Sequence, residues 1–297
     1  MAGIAAGALA VGAAFQAERG HDVESKSELN LWPGKETPDF AEVFLPGALW
    51  LIGLGNLGQA FLWALSALPY VDPTTVLIIL QDYDKITDEN WATSILVWDE
   101  TYGLLKTKVA ERWAEAKGFD VRRIDRRLLA GERIEDNDPR LALSGVDKIA
   151  ARKLMGAVGF DCIVDAGLGR TAADFDRYRV SVFDRTRPID RHFARTQDEP
   201  AAVEIPGEDA YRRLEAEIGL CGAAEVAGAS VAAPYVSAVA AAVAVSRLIA
   251  IASGCACAPS EVGRISSIEA RRTAPNVPIR ARGVLHAGKP AAVQLTD

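Results

Sequence analysis

The sequence predicts an α/β fold: a mostly parallel sheet with helices on both faces, preceded by a helical extension at the N-terminus. Three observations carry this. Short apolar runs alternate with segments of helical spacing from residue 48 to residue 169, as βαβ units do. Two of those runs, "ALWLIGLG" (48–55) and "DCIVDAGLG" (161–169), end in glycine, where a buried strand would turn out of a sheet. And 297 residues with 49% apolar and 25% charged content suffice for one large α/β domain or two modest ones.

The elements follow in order. The opening "MAGIAAGALAVGAAFQAERG" has no basic start, and its apolar run stops near Phe15, short of the roughly 20 residues that span a bilayer. It reads as a small-residue helix that packs closely on a neighbour. Residues 22–44 are polar and punctuated by proline, so they read as a connector. The chain then divides into a helix and connector (1–44) and a main domain (45–297), with a core at 45–190 and a helical, partner-binding part at 191–297. Within it, 48–55 is a buried strand and 56–68 a helix. "TTVLIILQDYD" (74–84) is a second strand that ends in acids. Residues 103–117 form an amphipathic helix with Leu105, Val109, Trp113 and Ala116 on one face, stopped by Gly118. Residues 119–128 alternate in polarity as a third strand, 145–157 are helical, and 161–169 are a strand. Residues 191–207 are loop-like and 208–218 a charged helix. Residues 228–254 make a long Ala/Val helix interrupted at Pro234. Its alanines and Arg247 argue for close packing in a core over a membrane span. Residues 263–272 alternate like an edge strand.

Charge and cysteine usage exclude some functions. A net charge of −7 disfavours a general nucleic-acid role. The four cysteines, Cys162, Cys221, Cys255 and Cys257, contain no C-x-x-C pair, and Cys255-x-Cys257 is too tight for the usual zinc spacing. A reduced, cytoplasmic chain without a zinc site is expected.

Gly53, Gly55 and Gly58 have the spacing G-x-G-x-x-G. Alone that is a weak signal, because glycines after a strand often only allow a tight turn. Here the motif follows a strand and opens a helix, so its backbone N–H groups and the helix dipole can meet a phosphate. Nicotinamide-binding folds usually end the next strand with one acid for the ribose. This chain has Asp82-x-Asp84, then Asn90, Gly103 and Lys106. In a parallel sheet Gly53–Gly58, Asp82–Asp84 and Asp165–Arg170 converge on one edge.

With this constellation the sequence resembles the ThiF/MoeB and ubiquitin-activating-enzyme superfamily, whose glycine loop is followed by D-x-D…N-L-x-R-Q…G-x-x-K. "DYDKITDEN" supplies Asp82, Asp84 and Asn90, and "YGLLK" supplies Gly103 and Lys106. The segment from Cys221 through 250 is similar to the family's late helix, and the resemblance covers about residues 45–254. It implies a Rossmann-like fold that binds ATP and Mg²⁺ and transfers AMP to the C-terminal carboxylate of a ubiquitin-like or sulfur-carrier protein. It further implies that Gly53, Gly55 and Gly58 admit the phosphates, that Asp82 or Asp84 takes the ribose hydroxyls, and that Asn90 and Lys106 hold phosphate oxygens. Homo- or heterodimers are expected from the same resemblance, and neither a nucleic acid nor a membrane as partner.

Two positions depart from the pattern. Thr93 stands where the family has its arginine, and Leu168 stands where "DAGLGR" should carry the second, metal-binding aspartate. Asp165 is then the candidate Mg²⁺ ligand and Arg170 the candidate replacement cation. A catalytically inactive copy that binds nucleotide or a partner subunit is the alternative within this fold. An NAD(P)-dependent oxidoreductase and a pure assembly protein are the alternatives outside it. Cys221 is a candidate thioester-forming cysteine if it stands at a helix N-terminus, and otherwise a packing residue. His192 reads as a polar loop residue, and Trp91 and Trp98 as core or lid packing.

Overall fold

A computed structural model of the chain describes residues 1–23, 27–32, 43–169, 174–196, 233–279 and 281. In chain order its regular elements are α1 (Ala2–Glu18), β1 (Ala48–Ile52), α2 (Asn56–Ser66), β2 (Leu77–Gln81), α3 (Asn90–Thr93), α4 (Lys106–Ala116), β3 (Asp120–Ile124) and β4 (Leu141–Ser144). Then come α5 (Ile149–Val158), β5 (Cys162–Leu168), β6 (Arg177–Asp184), α6 (Ile189–His192), α7 (Pro234–Ala252), β7 (Ser260–Arg264) and β8 (Arg272–Thr273).

The strands form one sheet in the order β3-β2-β1-β4-β5-β6-β7-β8. Strands β3 to β5 of that order run parallel. The remaining three add antiparallel. The mostly parallel sheet expected from the alternating runs is therefore present, with an antiparallel flank that the sequence reading had not assigned except for its last strand. Helices cover both faces. Leu57, Phe61, Val109, Ala114 and Val239 join β1, β2 and β5 in one core cluster. Ile149, Met155, Ile189 and Phe193 pack with Trp50, Ile52 and Phe183 on the other face.

Helix α7 explains its own composition. It packs against α1, α2, β5 and β6, and 17 of its 19 residues are buried. Alanine on every side lets four elements approach one helix. By length and composition α7 would also cross a membrane, but most of it is buried inside the protein. Its one charge, Arg247, is 4% exposed and donates to Glu261 on β7 at 2.6 Å. The Tyr178 hydroxyl donates to the other oxygen of Glu261 at 2.8 Å. Helix α1 packs on α7 and buries Ala5, Ala8 and Gly12. A Cβ at Gly12 would lie 2.7 Å from Ile265 Cγ2, so the expected close packing of a small-residue helix is realised there.

The structure corrects several expected boundaries. Pro234 opens α7 at its first turn and does not interrupt it, because a helix needs no N–H at that position. The single edge strand expected at 263–272 is two short strands, β7 and β8, separated by a 3₁₀ segment. In α4 the buried positions are Thr107, Val109, Ala110 and Ala114. Ala116, expected on the inner face, is exposed. The expected charged helix at 208–218 lies outside the described residues.

Candidate functional site

The sheet order reverses direction between β1 and β4. Helix α2 leaves β1 on one face and α5 leaves β4 on the other, so the loops at 53–55 and 145–148 part at that point. Ligands of open α/β sheets bind in the crevice such a switch opens at the strand C-termini. Glycine shapes both walls. Gly53 has φ +84°, and a Cβ there would lie 3.0 Å from Val146 Cγ1. A Cβ at Gly58 would lie 1.9 Å from the Gly53 carbonyl oxygen. Gly55 is the N-cap of α2 and has open space beside it. The first-turn N–H groups of α2 thus face the crevice without a capping side chain.

We expect Gly58→Ala to cost about 1–3 kcal/mol of stability, because the clashing atom is backbone and cannot turn aside. Urea denaturation checks this. The second effect of the same change is distortion of the 53–58 loop, read as weakened nucleotide binding.

Asp82 follows β2 directly and organises the loop. Its Oδ2 accepts from Leu54 N at 2.5 Å, and its Oδ1 accepts from Tyr83 N and Asp84 N at 2.7 and 2.8 Å. Three of roughly four acceptor sites of this carboxylate are thereby engaged. Asp84 is more open, with its side chain 46% exposed, and lies 3.4 Å from Lys106 Nζ. Lys106 is the first residue of α4, and its N–H donates to the Asp84 carbonyl. Residues 84–86 run beside 103–106 through the Lys85–Leu105 bridge and the Ile86–Gly103 and Ile86–Leu104 hydrogen bonds. That pairing brings the G-x-x-K segment against the D-x-D segment.

Asn90 is the first residue of the four-residue helix α3 and accepts from Thr87 N through Oδ1 at 3.0 Å. Thr93 Oγ1 donates back to the Glu89 carbonyl at 3.1 Å. Gln59, which sequence reasoning passed over as one more helical residue, is 2% exposed. Its amide donates to Leu54 O at 3.1 Å and accepts from Leu96 N at 3.0 Å. It therefore ties the glycine loop to the chain after α3. Trp91 and Trp98 are 61% and 46% exposed, so the core alternative of the expected packing does not hold. Neither is a core residue.

Asp165 lies inside β5 with no exposed surface. Its Oδ1 accepts from Ser144 Oγ at 2.7 Å and from Arg152 Nε at 2.9 Å. Its Oδ2 faces Arg179 Nη2 at 3.4 Å. A magnesium ion held by this carboxylate would stand against two guanidinium groups, so these residues do not fit the metal implied by the resemblance. Among the described residues no three His, Cys, Asp or Glu side chains group as metal ligands. Arg170 and Cys221 lie outside the described residues.

Around this pair the phenyl ring of Phe193 lies 5.6 Å from the Arg152 guanidinium and 5.3 Å from that of Arg179. His192, at the end of α6, stands 5.1 Å from Phe183 and 4.8 Å from Phe193. Burial, then Arg179, lowers the His192 pKa from its ordinary 6.5 while Asp165 opposes, so the imidazole is neutral at pH 7. Of the remaining cysteines, Cys162 and Cys257 are buried. Burial lifts the Cys257 thiol to about 11, which suits a packing residue.

Residues 45–255 match the family model described as the BilD C-terminal domain. A bacterial E1-like protein BilD of Collimonas sp. (strain OK412) is 36% identical over 230 residues, 74% of this chain and 49% of that protein. The chain thus spans about half the length of that relative. Among solved structures, E. coli MccB is similar at 13% identity and a TM-score of 0.49, over 82% of this chain and 66% of that one. E. coli tRNA N6-threonylcarbamoyladenosine dehydratase, TcdA, is similar at 16% identity and a TM-score of 0.41, over 72% of this chain and 88% of that one.

Proposed function

The chain belongs to the BilD C-terminal domain family, and from that premise we propose that it is the nucleotide-binding part of an ATP-dependent adenylyltransferase. Its substrate is the C-terminal carboxylate of a ubiquitin-like or sulfur-carrier protein. The relative's description as E1-like bears out the likeness to the activating-enzyme superfamily; the activity and the substrate are our reading.

The observation that carries it is the Asp84–Lys106 pair beside the glycine loop. A hydride-transfer site has no need of a lysine there, whereas a polyphosphate does. In this reading a carboxylate oxygen of the partner attacks the α-phosphorus of ATP. The new C–O–P linkage forms as the bond to the β-phosphate oxygen breaks, and pyrophosphate leaves. Gly53, Gly55 and Gly58 let the backbone approach the phosphates. Asp82 fixes the loop, and Asp84 is the carboxylate open to a ribose hydroxyl. Asn90 and Lys106 meet phosphate oxygens, and Lys106 offsets the charge that develops on pyrophosphate. Magnesium belongs to this scheme as the ion that ATP carries, and no step here runs through a protein-held metal.

One observation favours a second reading, the inactive copy. Thr93 turns its hydroxyl back into α3 and offers the phosphates no cation. Pyrophosphate exchange into ATP, with a candidate carrier protein present, separates the two. Exchange is expected for the enzyme, and ATP binding without exchange identifies the inactive copy. Isothermal titration that shows NAD⁺ binding and no ATP binding removes both.

A further inference from the structure

We propose that Arg179 is the phosphate-binding cation of this site and that Asp165 anchors it, so that a protein guanidinium takes the place the family gives to an aspartate-held metal. This rests on the adenylyltransferase reading and goes beyond it.

Ile52, Ser144 and Asp165 pair laterally on β1, β4 and β5. Strand spacing therefore puts Asp165 about 10 Å across the sheet from the start of the glycine loop. The wall between them is continuous. Gly53 packs on Val146, and Arg152 Nη1 donates to the Asp147 carbonyl in the same loop at 3.2 Å. Arg152 uses its other donors on Asp165 and on the Ala166 carbonyl and is only 7% exposed. It is a fixed strut.

Arg179 differs. Among the described residues its side chain has one hydrogen bond, the long contact to Asp165. Its Nε is buried with no acceptor, and a third of its side chain is open to solvent. A guanidinium carries five donors in a fixed fork and is suited to a bidentate oxyanion. Two guanidiniums share one carboxylate here, while His192 is held neutral, so the cluster retains a positive charge that an anion would balance.

Its place matches what the site lacks. Arg179 is paired in register with Gly167, beside Leu168, the position where the second aspartate is missing. The arginine absent at Thr93 and the acid absent at Leu168 both manage phosphate charge in the family pattern. A cation anchored by Asp165 next to an apolar residue at 168 does the metal's electrostatic work without needing a second carboxylate at 168. Gly167 lies against both guanidiniums: a Cβ there would be 3.5 Å from Arg152 Nη2 and 3.8 Å from Arg179 Nη2, in ordinary contact.

The test uses the full chain, with ATP, pyrophosphate and adenosine as probes. By isothermal titration, Arg179→Gln should weaken ATP and pyrophosphate binding about 10- to 100-fold, the range of one charge-assisted contact. Arg179→Lys should recover part of it, and adenosine binding should not change. In the wild-type chain, pyrophosphate and not adenosine should shift the His192 ring resonances, a readout independent of how the variants fold. Unchanged affinity in Arg179→Gln while the wild type binds ATP overturns this inference alone. So does an unmoved His192 at saturating pyrophosphate. A wild-type chain that binds no ATP overturns the adenylyltransferase reading as well.

Discussion

Lys106→Ala lowers pyrophosphate exchange by about 100- to 1,000-fold, the usual cost of losing one preorganised group that meets developing charge. The melting temperature should stay close to that of the wild type. These expectations separate because of where the residue stands. The Lys106 side chain is 12% exposed, but the Asp84 carboxylate 3.4 Å from its Nζ is nearly half exposed, so water screens the pair and it contributes little to folding. The backbone of residue 106 keeps its bond to the Asp84 carbonyl whatever the side chain, so α4 should still start in place. What is removed is a cation at the mouth of the crevice. Asp84→Ala should act on the same step by two routes. It deletes the carboxylate open to the ribose and frees Lys106 to swing into solvent. ATP affinity by titration and exchange rate by isotope incorporation should both fall in each variant. If both variants keep wild-type affinity and rate, the assignment of this pair to the phosphates is wrong.

The legible parts of the molecule are those written locally. Strands β1, β2 and β5 are apolar runs bounded by turn residues, and buried parallel strands need that pattern. The constellation from Gly53 to Lys106 was legible because its members sit at fixed offsets along one stretch of chain. Strand β4 was missed because "LALS" is four buried residues, too short to show a period. Strand β6 did carry a signal: Tyr178, Val180 and Val182 alternate toward one core. The charges at 177, 179 and 184 masked it. Arg152 and Arg179 could not be assigned to one site from spacing. One is on a helix and the other on a strand, and only the register of β5 with β6 brings them to the same carboxylate. Asp165 was legible as a functional acid but not in kind. Whether a buried aspartate faces a metal or an arginine depends on what crosses from neighbouring elements.

Pairing with arginine sets the cost of losing the Asp165 carboxylate. Asp165→Ala should destabilise the chain by about 3–5 kcal/mol, the cost of stranding a buried partner charge. The carboxylate has no exposed surface and accepts from Ser144 and Arg152 at 2.7 and 2.9 Å. Without it, Arg152, at 7% exposure, keeps its charge and loses its counterion. Arg179 beside it then adds repulsion where there was bridging. Urea denaturation in EDTA is the measurement, because it removes any contribution from bound divalent ions. A carboxylate that served chiefly as a metal ligand behaves in the opposite sense under those conditions. With the ion gone, its removal relieves an unpaired buried charge and leaves stability unchanged or raised. A double-mutant cycle sharpens the sign. Arg152→Met in the Asp165→Ala background removes the stranded guanidinium, so the double variant should be less unstable than the sum of the two single changes, by more than the roughly 0.5 kcal/mol within which independent sites add. Stability within about 0.5 kcal/mol of wild type for Asp165→Ala in EDTA, with additive behaviour in the cycle, would sink the anchor role and return Asp165 to the metal.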